Sequence, residues 1–164
     1  MEEILPSLII ILCVIIVPTI AIIYLISKHK HEQFLMADPK LNKLVDKFHT
    51  FFIKDKIWQY PLEKLNNKNI MQKITFCRGE KSYTLNKEVV YICLKDDYGE
   101  YYDENMLIYV IAHEIAHVLC PEVGHTDLFF EINEILLNEL EKESIYNSSL
   151  PVIRSYCENG DPEL

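Results

Sequence analysis

The sequence predicts an α+β domain, a small β-sheet packed on one buried helix and its flanking helices, carried behind one N-terminal transmembrane helix. Three observations predict it. A long uncharged apolar run opens the chain, two stretches rich in β-branched and aromatic residues occupy its middle, and segments of helical periodicity lie on both sides of them. Residues 1–31 are assigned to the anchor and its basic flank, and 32–164 to the folded domain.

Residues 4–26 run 23 positions without a charge. As a helix that is about 34 Å, enough to cross a hydrocarbon core of ~30 Å. A cleaved signal peptide fits less well, because Glu2 and Glu3 precede the run, it is too long, and no small-x-small site follows. Pro18 lies mid-span, where a kink is tolerated in lipid. Lys28, His29, Lys30 and His31 follow the run, and basic flanks favour the cytosolic side, so the domain is expected to face the cytosol with reduced thiols. His29 and His31 read as interfacial residues.

In the domain, Asp38 before Pro39 supplies a helix cap and a first-turn proline, and Leu41, Leu44, Val45, Phe48 and Phe52 recur at helical spacing over 39–54. His49 beside that stripe reads as a packed or surface residue. Trp58 and Tyr60, before Pro61, are expected to plug the core edge, and residues 62–69 to add a helical turn ended by the asparagine-rich 66–69. Two runs of strand character follow, 71–79 and 83–96, the second closed by a turn at Asp97, Tyr98 and Gly99. Cys77 and Cys93 on these runs are expected in core packing.

Asp103 or Asn105 can cap the next helix, in which residues 106–119 are apolar except for His113, Glu114 and His117. A helix apolar nearly all round runs through the middle of a domain. Pro121 and Gly124 end it. Thr126 then caps a last helix from Asp127 to Lys142, with Leu128, Phe129, Ile132, Ile135, Leu136 and Leu140 as its stripe. The tail from Tyr146 is irregular, with Pro151 and Cys157 tucked back.

The net charge is −9, and residues 1–31 carry Glu2 and Glu3 against Lys28 and Lys30, so the whole excess belongs to the domain. Such a surface is poorly suited to a phosphate backbone, which makes nucleic acid a disfavoured partner. The five cysteines include no C-x-x-C pair, so the spacing of Cys93, Cys120 and Cys157 gives no support for a redox or metal-storage role.

The chemistry sits in His113-Glu114-x-x-His117 and the following His125. Two histidines four apart on a helix project from one face and can share one Zn²⁺ at ~2.0–2.1 Å. A hydrolytic site needs a third protein ligand and an open position. His125 is the best placed, since Gly124 lets the chain reverse and Thr126 starts the next helix; the alternative is Glu131 or Glu134. Glu122 and Asp127 read as solvent-facing or capping. Glu114, about 100° round the helix from His113, can act as general base toward a zinc-activated water, with hydrolysis of a peptide bond as the result. On an apolar helix, two histidines and a glutamate without a metal carry an uncompensated desolvation cost of several kcal/mol.

The motif followed by Gly124, His125 and then Phe129 resembles the WLM and SprT-like zincin metallopeptidases, as do residues 89–94 and the segment 102–107 leading into the helix. The likeness covers residues 70–145, the core of the domain. It implies a minimal zincin-like fold, zinc on His113, His117 and His125, Glu114 as base, and residues 89–94 as the sheet edge along which an extended peptide lies. The anchor, the acidic surface and the lack of an evident DNA-binding segment depart from family members that act on DNA-bound proteins. Tyr101, Tyr102 and Tyr109 are candidate hydroxyl donors to a transition state. The expectation is a membrane-anchored zinc metallopeptidase acting on protein or peptide substrates; the alternative is a catalytically silent, zinc-stabilised, membrane-tethered structural or binding protein.

Overall fold

The computed structural model describes residues 15–28, 38–54, 56–67, 69–153 and 156. The chain divides into two units, Met1–Ala37 and Asp38–Leu164. In the first, a helix α1 covers residues 15–28 with its side chains exposed, and Thr19 Oγ1 donates to the Ile15 carbonyl at 2.6 Å. No helix among the described residues is long and apolar enough to cross a membrane. The expected span begins at Ile4, and residues 4–14, like His29 and His31, lie outside the described residues.

The second unit is α+β. Its helix α2, Pro39–Ile53, starts where the sequence predicts, because the Asp38 carboxylate accepts the free N–H groups of Lys40 at 2.9 Å and Leu41 at 3.2 Å. Leu41, Leu44, Phe48, Phe51 and Phe52 form its buried face. Trp58 packs edge-on against Phe51, with ring centroids 5.5 Å apart. Tyr60 does not join it: 70% of this side chain is exposed, so the expected plug is Trp58 alone. The Asn66 side chain holds that corner by bonding both the N–H and the carbonyl of Trp58 at 2.7 Å.

A 3-10 turn at Glu63–Asn66 leads to a one-turn helix α3, Ile70–Lys73. The first expected strand run therefore begins as helix, and strand β1 occupies only Thr75–Arg78. The second expected run is a hairpin, β2 at Tyr83–Leu85 and β3 at Val89–Ile92. Asn86 and Lys87 between them have φ of 52° and 58°, the mirror-image turn geometry that follows the twist of a hairpin. The order is β1-β3-β2, with β3 parallel to β1 (Thr75 opposite Val89) and antiparallel to β2 (Thr84 opposite Val90). The turn at 96–99 forms as expected, with Asp96 Oδ1 accepting from Tyr98 and Glu100 and Gly99 at φ 83°.

Helix α4, Glu104–Leu119, is capped by Asp103, whose carboxylate accepts the Asn105 N–H at 2.8 Å. It packs on the sheet and on α5, Asp127–Lys142. Leu107, Ile108, Ile111, Ile115 and Leu119 on α4 are at most 2% exposed, each worth about 1.5–3 kcal/mol of transfer free energy. After α5 the described residues up to 153 are irregular, and the segment is pinned back where Asn105 and Asn147 exchange hydrogen bonds of 3.1 and 2.8 Å.

Cys77 and Cys120 are free and buried. Cys93 is disulfide-bonded, where the expected cytosolic placement implied a reduced thiol; Cys157 lies outside the described residues. Beside Cys93, Ser82 Oγ accepts its N–H at 2.9 Å and meets the Tyr156 hydroxyl at 2.9 Å, and that hydroxyl donates to the Cys93 carbonyl. Burial pushes the Tyr156 phenol well above its ordinary pKa.

Candidate metal centre

Helix α4 carries His113 and His117 one turn apart, and its C-terminal end is fixed by cations. The Lys64 ammonium bonds the Leu119 carbonyl, and that of Lys87 bonds the carbonyls of Cys120 and, at 3.0 Å, Glu122. These lysines satisfy carbonyls that the helix leaves free and complement its dipole. The chain then reverses through Gly124, whose φ of 84° is costly for a residue with a Cβ. His125 follows, and Thr126 Oγ1 accepts the Phe129 N–H at 3.3 Å to start α5.

The reversal brings three imidazoles together. His125 Nε2 lies 3.0 Å from His113 Nε2 and 3.2 Å from His117 Nε2, and among the described residues this triad is the group that could hold a metal ion. Four ligands at ~2.05 Å in a tetrahedron stand about 3.3 Å apart. The two separations at His125 are close to that value, and all three ligand atoms lie within 4.8 Å of one another. Hydrogen bonding alone serves the triad poorly, because a single N–H on His125 cannot lie along both contacts, whereas one cation accepts all three lone pairs.

The rings are held from behind by Phe129, whose ring centroid is 4.9, 4.2 and 4.7 Å from those of His113, His117 and His125. His113 is 2% exposed. Burial first, and then the neighbouring His117 and His125, push its pKa down to about 3. It is thus neutral at pH 7, the form with a lone pair to donate. His113 Nδ1 has no hydrogen-bond partner among the described residues.

Glu114 is 3% exposed, and its Oε2 accepts a hydrogen bond of 2.7 Å from Thr84 Oγ1 on β2, which also lies 3.0 Å from the Glu114 carbonyl. Thr84 was not singled out in the sequence. Only the hairpin brings it to α4, and no local pattern marks a threonine as a carboxylate's partner across thirty residues of chain.

One expectation about the sheet is overturned. Residues 89–92 form β3, the central strand, with both sides taken by β1 and β2, so that strand offers no free edge to a peptide. The edge strand next to α4 is β2.

Glu131 and Glu134 are exposed and do not belong to the metal-competent group. Glu122 and Asp127 are also exposed. His49 lies on α2 and does not join the triad. The Tyr101 hydroxyl donates to Asp38 at 3.1 Å, the Tyr102 ring packs on Tyr156 at 4.7 Å, and the Tyr109 ring faces Tyr146 at 6.2 Å. Tyr102 and Tyr109 are thus packed on other aromatic rings, while Tyr101 is exposed and bonded to the cap of α2.

No family model matches the chain, and no solved structure matches it. The chain is similar to the uncharacterized protein 042R of Invertebrate iridescent virus 3, with 42% identity over 98 residues, 59% of this chain and 62% of that protein. With the uncharacterized protein 136R of Invertebrate iridescent virus 6 it shares 44% identity over 99 residues, 58% of this chain and 56% of that one. With the uncharacterized protein R325 of Acanthamoeba polyphaga mimivirus the identity is 36% over 78 residues, 43% and 39% of the two chains. The match thus spans about three fifths of the two iridescent-virus proteins, and what this chain shares with all three is likeness to viral proteins whose names carry no function.

Proposed function

We propose that the chain is a zinc-dependent metallopeptidase of the WLM and SprT-like kind, with His113, His117 and His125 as zinc ligands and Glu114 as general base. The observation that carries this is the approach of His125 Nε2 to His113 Nε2 at 3.0 Å and to His117 Nε2 at 3.2 Å, with the buried Glu114 next to His113 in the sequence of α4. A zinc ion held there supplies a Lewis acid able to lower the pKa of a water from 15.7 to about 7.

The chain's own residues account for the remaining steps. Glu114, desolvated and fixed by the Thr84 hydroxyl, accepts the proton of the attacking water and returns it to the leaving amine. Phe129 keeps the three imidazoles in place, so no ligand has to reorganise during turnover. The substrate backbone lies along β2, the strand whose Thr84 touches the base. The apolar run of residues 4–26 and its basic flank support a membrane tether with a cytosolic domain; against the cytosolic side stands the disulfide at Cys93.

The test is a peptide-library digest with zinc-loaded wild type and Glu114→Gln. The expected result is cleavage by wild type and a loss of about 10²–10⁴-fold in the variant, with zinc retained. Equal cleavage by both would rule out the base. No cleavage by either, with zinc bound in both, would leave a zinc-stabilised binding protein as the correct reading.

A further inference from the structure

A groove of about 310 Å³ runs along the outer face of α5. It is lined from that helix by Phe130, Asn133, Glu134, Leu137 and Glu141, at the three- and four-residue spacing of one helix face, and Tyr146 closes it from the following segment. From Phe130 to Glu141 is about 16 Å of helix, the length of roughly five residues of extended chain. The groove starts at the metal-competent site, because the Phe130 ring, 49% exposed, faces that of His125 with centroids 6.0 Å apart and planes 27° apart.

Its chemistry asks for hydrogen-bond donors and positive charge. Asn133 is 9% exposed and its Oδ1 is a buried acceptor without a partner among the described residues, which costs about 1–3 kcal/mol until a donor arrives. Neither Glu134 nor Glu141 forms an ion pair among the described residues, whereas Glu139 and Glu143 nearby are matched by Lys56, Lys142 and Lys54. Glu141 is instead oriented by Ser148, whose N–H and hydroxyl both reach its Oε1, at 3.0 and 2.5 Å. Those bonds hold its carboxyl below the usual carboxylate range, so it stays charged. Phe130 and Leu137 add apolar surface between the acids.

We propose that this groove binds a basic stretch of the substrate polypeptide, a lysine or arginine laying its stem on Phe130 and Leu137 and its charge between Glu134 and Glu141. The occupant's identity as substrate rests on the peptidase reading; its basic character rests on the groove alone. Long cationic side chains suit such a surface, since their methylene stems cover apolar groups while their heads reach the carboxylates.

The test is fluorescence anisotropy with the full chain, zinc-loaded and carrying Glu114→Gln. The probes are labelled peptides of alternating alanine and lysine, or alanine and glutamate. The lysine peptide is expected to bind and the glutamate peptide not to. Glu134→Gln with Glu141→Gln should weaken binding at least tenfold, as should Leu137→Trp, which fills the groove without changing charge. Glu80→Gln with Glu100→Gln removes the same charge from exposed positions outside the groove and should change affinity less than twofold. Equal losses in the groove and control pairs would overturn the proposal, since a general field of −9 would then explain the binding, and equal affinity for the lysine and glutamate peptides would overturn it as well. Groove-dependent binding without any library cleavage counts against the peptidase alone; cleavage that ignores the groove variants counts against the groove alone.

Discussion

At Ser82, Cys93 and Tyr156 each buried donor meets an acceptor, whereas at His113, His117 and His125 three ring nitrogens face one another and His113 Nδ1 has no hydrogen-bond partner among the described residues. Both clusters bring polar side chains together at buried positions, Ser82 and Tyr156 in one and His113 in the other. In the first, the hydrogen bonds replace those lost to water, so the cluster is complete as folded. In the second, three ring nitrogens converge where one cation could accept their lone pairs. The difference teaches that burial of polar groups does not by itself mark a site; a convergence of metal-ligating atoms does.

The contrast breaks most visibly on removal of metal. With free zinc at a thousand times its dissociation constant, binding adds about 4 kcal/mol of stability. Chelation is therefore expected to lower the melting temperature by on the order of 10–20 °C. Tyr156→Phe, by comparison, should cost about 1–3 kcal/mol and cost it equally with and without zinc. Calorimetric scans of the two proteins, with and without chelator, check this. A chelator effect that disappears in Tyr156→Phe would erase the distinction between the clusters.

The clusters should also fail at opposite ends of the pH scale. In the zinc-free chain His113 titrates near 3 when folded against about 6.5 unfolded, so the unfolded state binds more protons below that value. Stability is present above pH 6.5 and is lost as pH falls toward 3, by on the order of a few kcal/mol at pH 4. For Tyr156 the folded pKa is raised, so its contribution is present below about pH 10 and lost in alkali. Urea midpoints measured from pH 4 to 8 should slope upward, and His113→Leu should flatten that slope.

A smaller effect separates support from ligation. Thr84→Val keeps the shape of the side chain and removes the hydroxyl that holds Glu114. Turnover of a cleaved peptide should fall about tenfold, or 1.4 kcal/mol, with KM and zinc content unchanged. A loss of zinc instead would move Thr84 into the metal centre.

Much of this was legible in the chain. Helices α4 and α5 follow from their apolar periodicity and from Asp103 and Thr126 as caps, and Gly124 with its positive φ announces the reversal that delivers His125. The sheet was less legible. The hairpin at Asn86 and Lys87 contains no glycine, so residues 83–96 read as one strand; the positive φ of Lys87 goes together with its ammonium's bonds to the end of α4, a tertiary contact that local pattern does not carry. The same applies to Thr84, whose role exists only once β2 lies against α4. Tyr60 was misplaced because an aromatic residue before proline suits either a plug or a surface turn, and only the packing of Trp58 on Phe51 decides it.

The central claim, that three histidines make one zinc site, is tested most directly by titrating zinc into the metal-free full chain against a chromophoric chelator, with His125→Ala alongside. The account predicts one zinc per chain, and an affinity at least 100-fold weaker in the variant, since losing a direct ligand should cost no less than the 10–100-fold that loss of an outer partner costs. Unchanged affinity in His125→Ala, or no stoichiometric binding by the wild type, would contradict it.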